Sequence, residues 1–349
     1  MKSTPIQTAL CSFGMSGHLF HAPFIDVNPN FNLYAVLERS KTIAEGKYPN
    51  IKTFRSLEDL LNDNRIELVI VNTPNATHFE ITKKCITAGK HVVVEKPFTV
   101  TIAEAEELSA LAKKHKVKLA VYHNRRWDSD FKTVKKILED GRLGDLVEAE
   151  FHYDRYDTQL SYKNHKETPT EGVGSLYDLG SHIIDQALQL FGMPKSVFAS
   201  LNHFRDQSKV TDYFDVKLFY KSHYVILKSS YFVREALPAY TLHGTNGSFI
   251  KSKSDIQEVE LQKELKPNSK NWGIEPETER GLLHFMKDGH AYKELIASEK
   301  GDYMFFYNGV YDAIRCDKEV PVSAKEATNV IKIIEAAGQS HKEKRIVDL

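Results

Sequence analysis

The sequence predicts an α/β protein of two parts. A doubly wound parallel sheet occupies residues 1–124, and an α/β domain with a large, open, mainly antiparallel sheet occupies 125–349. Three observations carry this. Short apolar runs alternate with helical segments as far as residue 122, the signature of parallel strands covered on both faces. From about residue 147 the pattern changes to period-two alternation between turn residues. At 349 residues the chain is also long for one hydrophobic core.

The elements of the first part follow in order. Residues 6–12 read as the first strand, followed by a glycine turn and a helix start near Gly17. Phe31–Leu37 is the second strand and Thr53-Phe54 a short third. Ser56 with Asp59 three residues on reads as an N-cap with an acidic first turn. Leu68–Val71 is a continuous apolar strand. Thr77–Ala88 is a helix that Gly89 ends. Val92–Val94 is the fifth strand. Thr101 caps a helix to His115, with Glu104 three residues in, and Leu119–Tyr122 is the sixth strand.

In the second part, Phe131–Glu139 reads as a helix. Strands follow at Val147–Tyr153, Val197–Leu201, Tyr213–Tyr220, Tyr224–Phe232, Tyr240–His243 and Ser248–Lys251. A long irregular stretch, 258–278, separates them from helices expected at 279–287, 303–316 and 325–342. The face and edge of the antiparallel sheet are expected oligomer surfaces, serving a homodimer or homotetramer.

Composition narrows the function class. The 47 basic and 47 acidic side chains cancel, which gives no support for nucleic acid or an anionic membrane as partner. Three scattered cysteines fit a reducing compartment, and Cys11 and Cys85 lie in apolar stretches that predict burial. The polar start and the lack of a long apolar run predict a soluble, cytoplasmic protein.

Ser12-Phe13-Gly14-Met15-Ser16-Gly17 stands between the first strand and first helix, in the position of a G-x-G-x-x-G phosphate loop with serine for the first glycine. That placement predicts a Rossmann dinucleotide fold. Phe13, Gly14, Ser16, Gly17 and His18 are then candidate cofactor contacts. At the end of the second strand, Glu38 could bond the ribose diol of NAD, whereas Arg39, Ser40 and Lys41 could hold the 2′-phosphate of NADP. Three donors against one carboxylate favour NADP, with NAD possible. Asn72, Thr73, Pro74 and Asn75 form the next loop at the same edge, with His78 just beyond. As a catalytic group His78 is outweighed by a capping or surface role; it is kept as a cofactor contact.

Glu95-Lys96-Pro97 ends the fifth strand at the edge where open parallel sheets bind ligands. A lysine there can bond a substrate oxygen and hold the charge that develops on it. Asn124 and Arg126, in His123-Asn124-Arg125-Arg126-Trp127-Asp128, are further candidates for cofactor or substrate contact, and Trp127 either walls the pocket or packs in the core. Asp178 and His182, four apart, share a helix face, so that a carboxylate orients an imidazole as general base. Gly172 and Gly174 before them suggest a loop that approaches a ligand closely. Lys96 precedes Asp178 by 82 residues (178 − 96), which predicts a site shared by both parts. Tyr153, Arg155, Tyr156 and Trp272 are candidate substrate contacts. A metal site from Asp178, His182 and Asp185 lacks a convincing third ligand, so no metal is expected.

Together the glycine loop, Phe20-His21-Ala22-Pro23, Glu95-Lys96-Pro97, Tyr122–Asp128 and Tyr177–Gln186 resemble the Gfo/Idh/MocA oxidoreductase family over essentially the whole chain. Phe191–Lys195 and Ile333–Ala337 strengthen the likeness to its NADP-dependent, inositol-oxidising members. The resemblance implies that Lys96, Asp178 and His182 form a catalytic triad. It also implies hydride transfer between NADP(H) and a secondary alcohol of a cyclic polyol or sugar, a scyllo-inositol-like substrate being favoured. Two rival readings share the fold. One is a regulator that senses NAD(P) without turnover; the other is an enzyme that recycles tightly held NAD in sugar elimination.

Overall fold

The computed structural model describes residues 4–349. The chain forms two compact units. The first comprises the residues up to Asn124 with Gln257–Trp272 and Asp302–Thr328; the second comprises Arg125–Ile256, Gly273–Gly301 and Asn329–Leu349.

In the first unit six strands make one parallel sheet: β1 (Ile6–Leu10), β2 (Phe31–Leu37), β3 (Lys52–Phe54), β4 (Leu68–Val71), β5 (His91–Glu95) and β6 (Leu119–Tyr122). Their order is β3-β2-β1-β4-β5-β6. The order reverses between β1 and β4, and there the carboxyl ends of strands open a crevice for a ligand. Every residue of β4 is buried, as a central parallel strand covered on both faces requires. Local chemistry sets the helix starts. The Ser56 hydroxyl accepts the Asp59 amide, and Thr101 and Glu104 form a reciprocal capping box.

Three later pieces complete this unit. Residues 322–323 pair with β6, Val121 donating its amide to Val322 O. Helix Met304–Cys316 supplies Phe306 and Tyr307, both fully buried, and Tyr307 stacks on Phe24 at 5.4 Å. Trp272 is 1% exposed beside Phe24, its indole N–H bonded to Gln257. Trp272 is thus part of this core, which corrects its reading as a substrate contact.

The second unit is built on a nine-stranded sheet: β7 (Leu146–His152), β8 (Ser196–Asn202), β9 (Tyr213–Phe219), β10 (Tyr224–Ser230), β11 (Tyr240–Gly244), β12 (Gly247–Lys251), β13 (Gly281–Lys287), β14 (His290–Ile296) and β15 (Val347–Asp348). The order is β14-β13-β12-β11-β7-β10-β9-β8-β15. β7 and β10 pair parallel and every other neighbouring pair is antiparallel. Phe214, Val216 and Leu218 of β9 alternate with partly exposed residues, so one face is buried and the other open.

Two expectations are corrected here. Residues 281–287 are a strand, not a helix, and form a hairpin with β14 through Asp288-Gly289. The stretch 258–278 is not wholly irregular, since Gln257–Gln262 is helical. Among the described residues no helix is long and apolar enough to cross a membrane.

Candidate functional site

The carboxyl ends of β1 and β4 are laced together by hydrogen bonds. Asn72, following β4, accepts the Ser12 amide at 3.0 Å through Oδ1 and donates Nδ2 to Ser12 O at 2.9 Å. The Ser12 hydroxyl donates to Asn72 O at 2.8 Å. Serine in place of the first motif glycine therefore has a local use, because it locks the phosphate loop to its neighbour. The loop then enters a π-turn at Gly17–His21, continued by helix Ala22–Val27. A Cβ on Gly17 would lie 2.4 Å from Ser12 O and 2.7 Å from Asn72 Nδ2, so this position admits only glycine. A Cβ on Gly14 would meet nothing nearer than 4.0 Å, so the protein leaves the space above Gly14 open. That is the cradle a pyrophosphate needs, and the residues present fit a dinucleotide. Phe13 is buried edge-on to Tyr48 and to His18. Burial, and then the Lys47 ammonium at 2.6 Å, holds the His18 imidazole below its ordinary pKa.

The loop after β2 separates the two cofactor readings. Glu38 is buried, and its carboxylate accepts the amides of Ile43 (3.3 Å) and Ala44 (3.0 Å). It thereby satisfies the start of helix Ile43–Lys47, where Thr42 offers no side-chain cap. Arg39, Ser40 and Lys41 are exposed. Arg55 Nη1 donates to the carbonyls of Glu38 (2.7 Å) and Lys41 (2.5 Å), closing the loop beneath them.

At the end of β5 the Glu95 carboxylate accepts from the Ser16 hydroxyl, from His21 Nε2 at 3.0 Å and from the Lys96 amide at 3.2 Å. Burial would raise its pKa. The His21 hydrogen bond and charge, the Ser16 bond and the Lys96 charge outweigh burial and bring it down to about 2. His21 Nδ1 lies 2.9 Å from the Tyr307 hydroxyl, which donates to Phe20 O at 2.7 Å; Tyr122 donates to the same carbonyl at 2.9 Å. The His21 ring thus ties the Glu95 carboxylate to the Tyr307 hydroxyl. Lys96 thus leaves β5 from a rigid, charged anchor, and its peptide to Pro97 is cis.

His78 is fully buried, not a surface residue. Nδ1 lies 2.9 Å from Pro97 O and Nε2 2.8 Å from Thr73 O, so the ring straps the 72–75 loop to the 95–97 loop. Burial pushes its pKa down against those two carbonyls. In the 72–75 loop, the Thr77 hydroxyl bonds Thr73 Oγ1 and Pro74 O, and Asn75 begins a 3-10 turn. Asn124 is buried just after β6.

In the second unit Asp178 lies in a π-turn, Leu176–Gly180, and His182 in the first turn of the α-helix Ser181–Phe191 that continues it. The turn is set by Gly174, φ +106°, where a Cβ would lie 2.2 Å from Thr211 Oγ1. The close approach of this glycine is therefore to Thr211, not to a ligand. Asp178 pairs with Lys166 Nζ at 3.0 Å. Lys166 rides on a short helix, Asn164–Glu167, which buried Arg205 pins by bridging Glu167 (3.0 Å) and Asp212 (3.2 Å). His182 is 6% exposed, its ring 5.9 Å from that of Tyr153. Around Tyr153 stand Lys253 Nζ at 4.1 Å and the guanidiniums of Arg125 (5.3 Å) and Arg155 (5.9 Å). Tyr153 is thus an aromatic ring with three cations around it and a histidine beside it. Arg126 makes a two-pronged buried ion pair with Asp185, at 2.8 and 2.6 Å, and Trp127 is partly buried. Tyr156 is exposed and stacks under Arg234 at 4.3 Å.

Sequence reasoning missed His21, Tyr307, Arg55, Lys166 and Lys253. His21 lies in the Phe20–Pro23 stretch, and a histidine four residues after a phosphate-loop glycine faces the same helix side as that loop. The others act across 12 or more residues, beyond the reach of any helical or strand period.

Comparison with known proteins places the chain in a family. Residues 6–123 match the family described as "Oxidoreductase family, NAD-binding Rossmann fold", and residues 135–349 its "C-terminal alpha/beta domain". A scyllo-inositol 2-dehydrogenase (NADP(+)), IolW of Bacillus subtilis, is 40% identical over 100% of this chain and 97% of its own. A D-glucoside 3-dehydrogenase of Escherichia coli is 28% identical over 57% of this chain and 58% of its own. Among solved structures, YvaA of Bacillus subtilis superposes with a TM-score of 0.95 at 39% identity over 100% of both chains. An oxidoreductase from Bacillus cereus gives 0.90 at 33% identity, covering 99% of this chain and 98% of that one.

Proposed function

We propose that this chain, which belongs to the Gfo/Idh/MocA oxidoreductase family, moves hydride between NADP(H) and a secondary alcohol or ketone of a cyclic polyol or sugar. The family membership makes it an oxidoreductase with an NAD(P)-binding fold. One observation carries the choice of NADP. The Glu38 carboxylate is turned inward onto the Ile43 and Ala44 amides, while Arg39, Ser40 and Lys41 face solvent. A carboxylate buried and engaged in this way is turned from a ribose diol, and three outward donors suit a phosphate. The whole-length similarity to a scyllo-inositol dehydrogenase supports an inositol-like ring as substrate.

In this reading Gly14, the amides of the following turn and the Asn72-locked loop receive the pyrophosphate. A bound nicotinamide supplies the hydride acceptor. His182 takes the hydroxyl proton as general base, and Lys96 bonds the same oxygen and holds the alkoxide charge. Asp178 orients His182 or bonds a neighbouring hydroxyl. Glu95, fixed by His21 and Ser16, aims Lys96 and does not itself transfer a proton. Tyr153 with its surrounding cations flanks the ring hydroxyls. A homodimer or homotetramer through the open face of the nine-stranded sheet belongs to the same reading.

The test is nicotinamide absorbance with purified protein, a panel of inositols and aldoses, and both NADP+ and NAD+. Turnover of an inositol with NADP+ preferred is expected. Absence of turnover across the panel, or preference for NAD+, overturns the corresponding half of the reading.

A further inference from the structure

We propose that Arg55 is a specificity-determining residue for the adenosine 2′-phosphate of NADP, acting as the clamp that shapes the 38–41 loop. The inference rests on the NADP reading above and adds a residue that no nucleotide-binding pattern marks, because Arg55 follows β3 and not β2.

The loop is held at three points. β2 and β3 pair as far as Leu37 and Phe54, and the Glu38 amide donates to Phe54 O at 3.1 Å. The Glu38 side chain turns back onto the Ile43 and Ala44 amides. Arg55, the residue after Phe54, then spans the loop, one Nη1 group donating to both the Glu38 and Lys41 carbonyls. The two bonds have separate consequences for an anion. They close residues 38–41 into a ring whose outward side chains are Arg39, Ser40 and Lys41. They also occupy two carbonyl oxygens whose partial negative charge would otherwise oppose a phosphate. Among the described residues no ion pair engages Arg39, Lys41 or Arg55, so two cations on the loop and one beneath it are not paired with a carboxylate. Charge-assisted bonds to phosphate depend on donors held in place, and without the clamp Arg39 and Lys41 sit on an open loop and lose order before they gain contact.

The experiment measures dissociation constants by NADPH and NADH fluorescence titration, with adenosine 2′,5′-bisphosphate and 5′-AMP as competitors, for the wild type, Arg55→Ala and Arg55→Met. Arg55 is exposed, so both variants are expected to fold, and Met keeps the apolar stem while removing every donor. The wild type should bind the 2′-phosphorylated member of each pair more tightly. Both variants should lose about 10-fold of that preference, while affinity for NADH and 5′-AMP stays within about twofold. An unchanged preference overturns the assignment. Equal weakening of all four nucleotides overturns it as well, since that marks general damage to the fold. A wild type with no preference instead refutes the NADP reading itself.

Discussion

Replacing His21 by leucine removes the largest of the partners that offset the burial of the Glu95 carboxylate. The Glu95 side chain is 12% exposed and His21 fully buried, with 3.0 Å between them. Glu95 titrates at about 2 instead of 4.5 because its partners outweigh the cost of burial. A lowering of that size is on the order of 3 kcal/mol for all partners of Glu95 together, net of burial. A lowered carboxylate pKa contributes stability that is complete above pH 4.5 and drains away as pH falls toward 2. Deleting one partner of a buried pair costs about 3–5 kcal/mol by a separate line of reasoning. The two figures are of one order, and about 3–5 kcal/mol at about 2–4 °C per kcal/mol predicts a melting point lower by about 6–20 °C. Chemical denaturation of wild type and His21→Leu at pH 7 reads the loss directly. Repeating it between pH 4.5 and 2 should show the gap between the two proteins closing. A loss below about 1 kcal/mol at pH 7, or a gap indifferent to acid, refutes the reasoning. The double variant His21→Leu with Glu95→Gln should recover part of the loss, because it leaves no unpaired charge inside.

Three further outcomes are expected. His182→Ala should lower kcat by about 10²–10⁴-fold, with NADPH affinity measured by fluorescence nearly unchanged; equal loss of both would remove His182 from the proton-transfer role. Gly17→Ala should abolish nucleotide binding, because its Cβ has no room between Ser12 O and Asn72 Nδ2; retention of binding in a calorimetric titration would show that the loop can shift. Asp128, 1% exposed, is pushed up to about 8, chiefly by burial and then by Asp255, against the opposing charge of Arg125. It takes up a proton on folding and so weakens the fold increasingly as pH rises from about 4 to 8. Asp128→Asn should therefore add at least about 1–2 kcal/mol at pH 8 and nothing near pH 4; a gain independent of pH would exclude the mechanism.

The parallel sheet was legible because β4 and β6 are uninterrupted apolar runs and two of its helices carry start signals, at Ser56 and Thr101. The strand at 281–287 was not, although the signs were there. Leu283 and Phe285 are buried between partly or fully exposed neighbours, and Asp288-Gly289, both at positive φ, is the favoured two-residue hairpin pair. The run of mixed apolar and charged residues from 279 to 287 suits a helix equally well until that turn is weighed. β14 gives no alternation to read, since nearly all of it is exposed at the sheet's end. The site residues named from the sequence were those on motif loops. Hidden from it was how those loops are tied, by Asn72 to Ser12, His78 to Pro97 and Arg55 to Lys41, each joining residues that no period connects.

The return of the chain to its first unit limits how the protein can be cut or recombined. A fragment ending at Asn124 would keep all six strands yet lose Trp272, Tyr303, Phe306 and Tyr307, each at most 1% exposed. At about 1.5–3 kcal/mol per buried side chain, that forfeits about 6–12 kcal/mol, comparable with the whole stability of an ordinary domain. Exchange of either unit between relatives therefore requires transplanting three separate blocks, because a single crossover at residue 124 strips the nucleotide-binding unit of its lining.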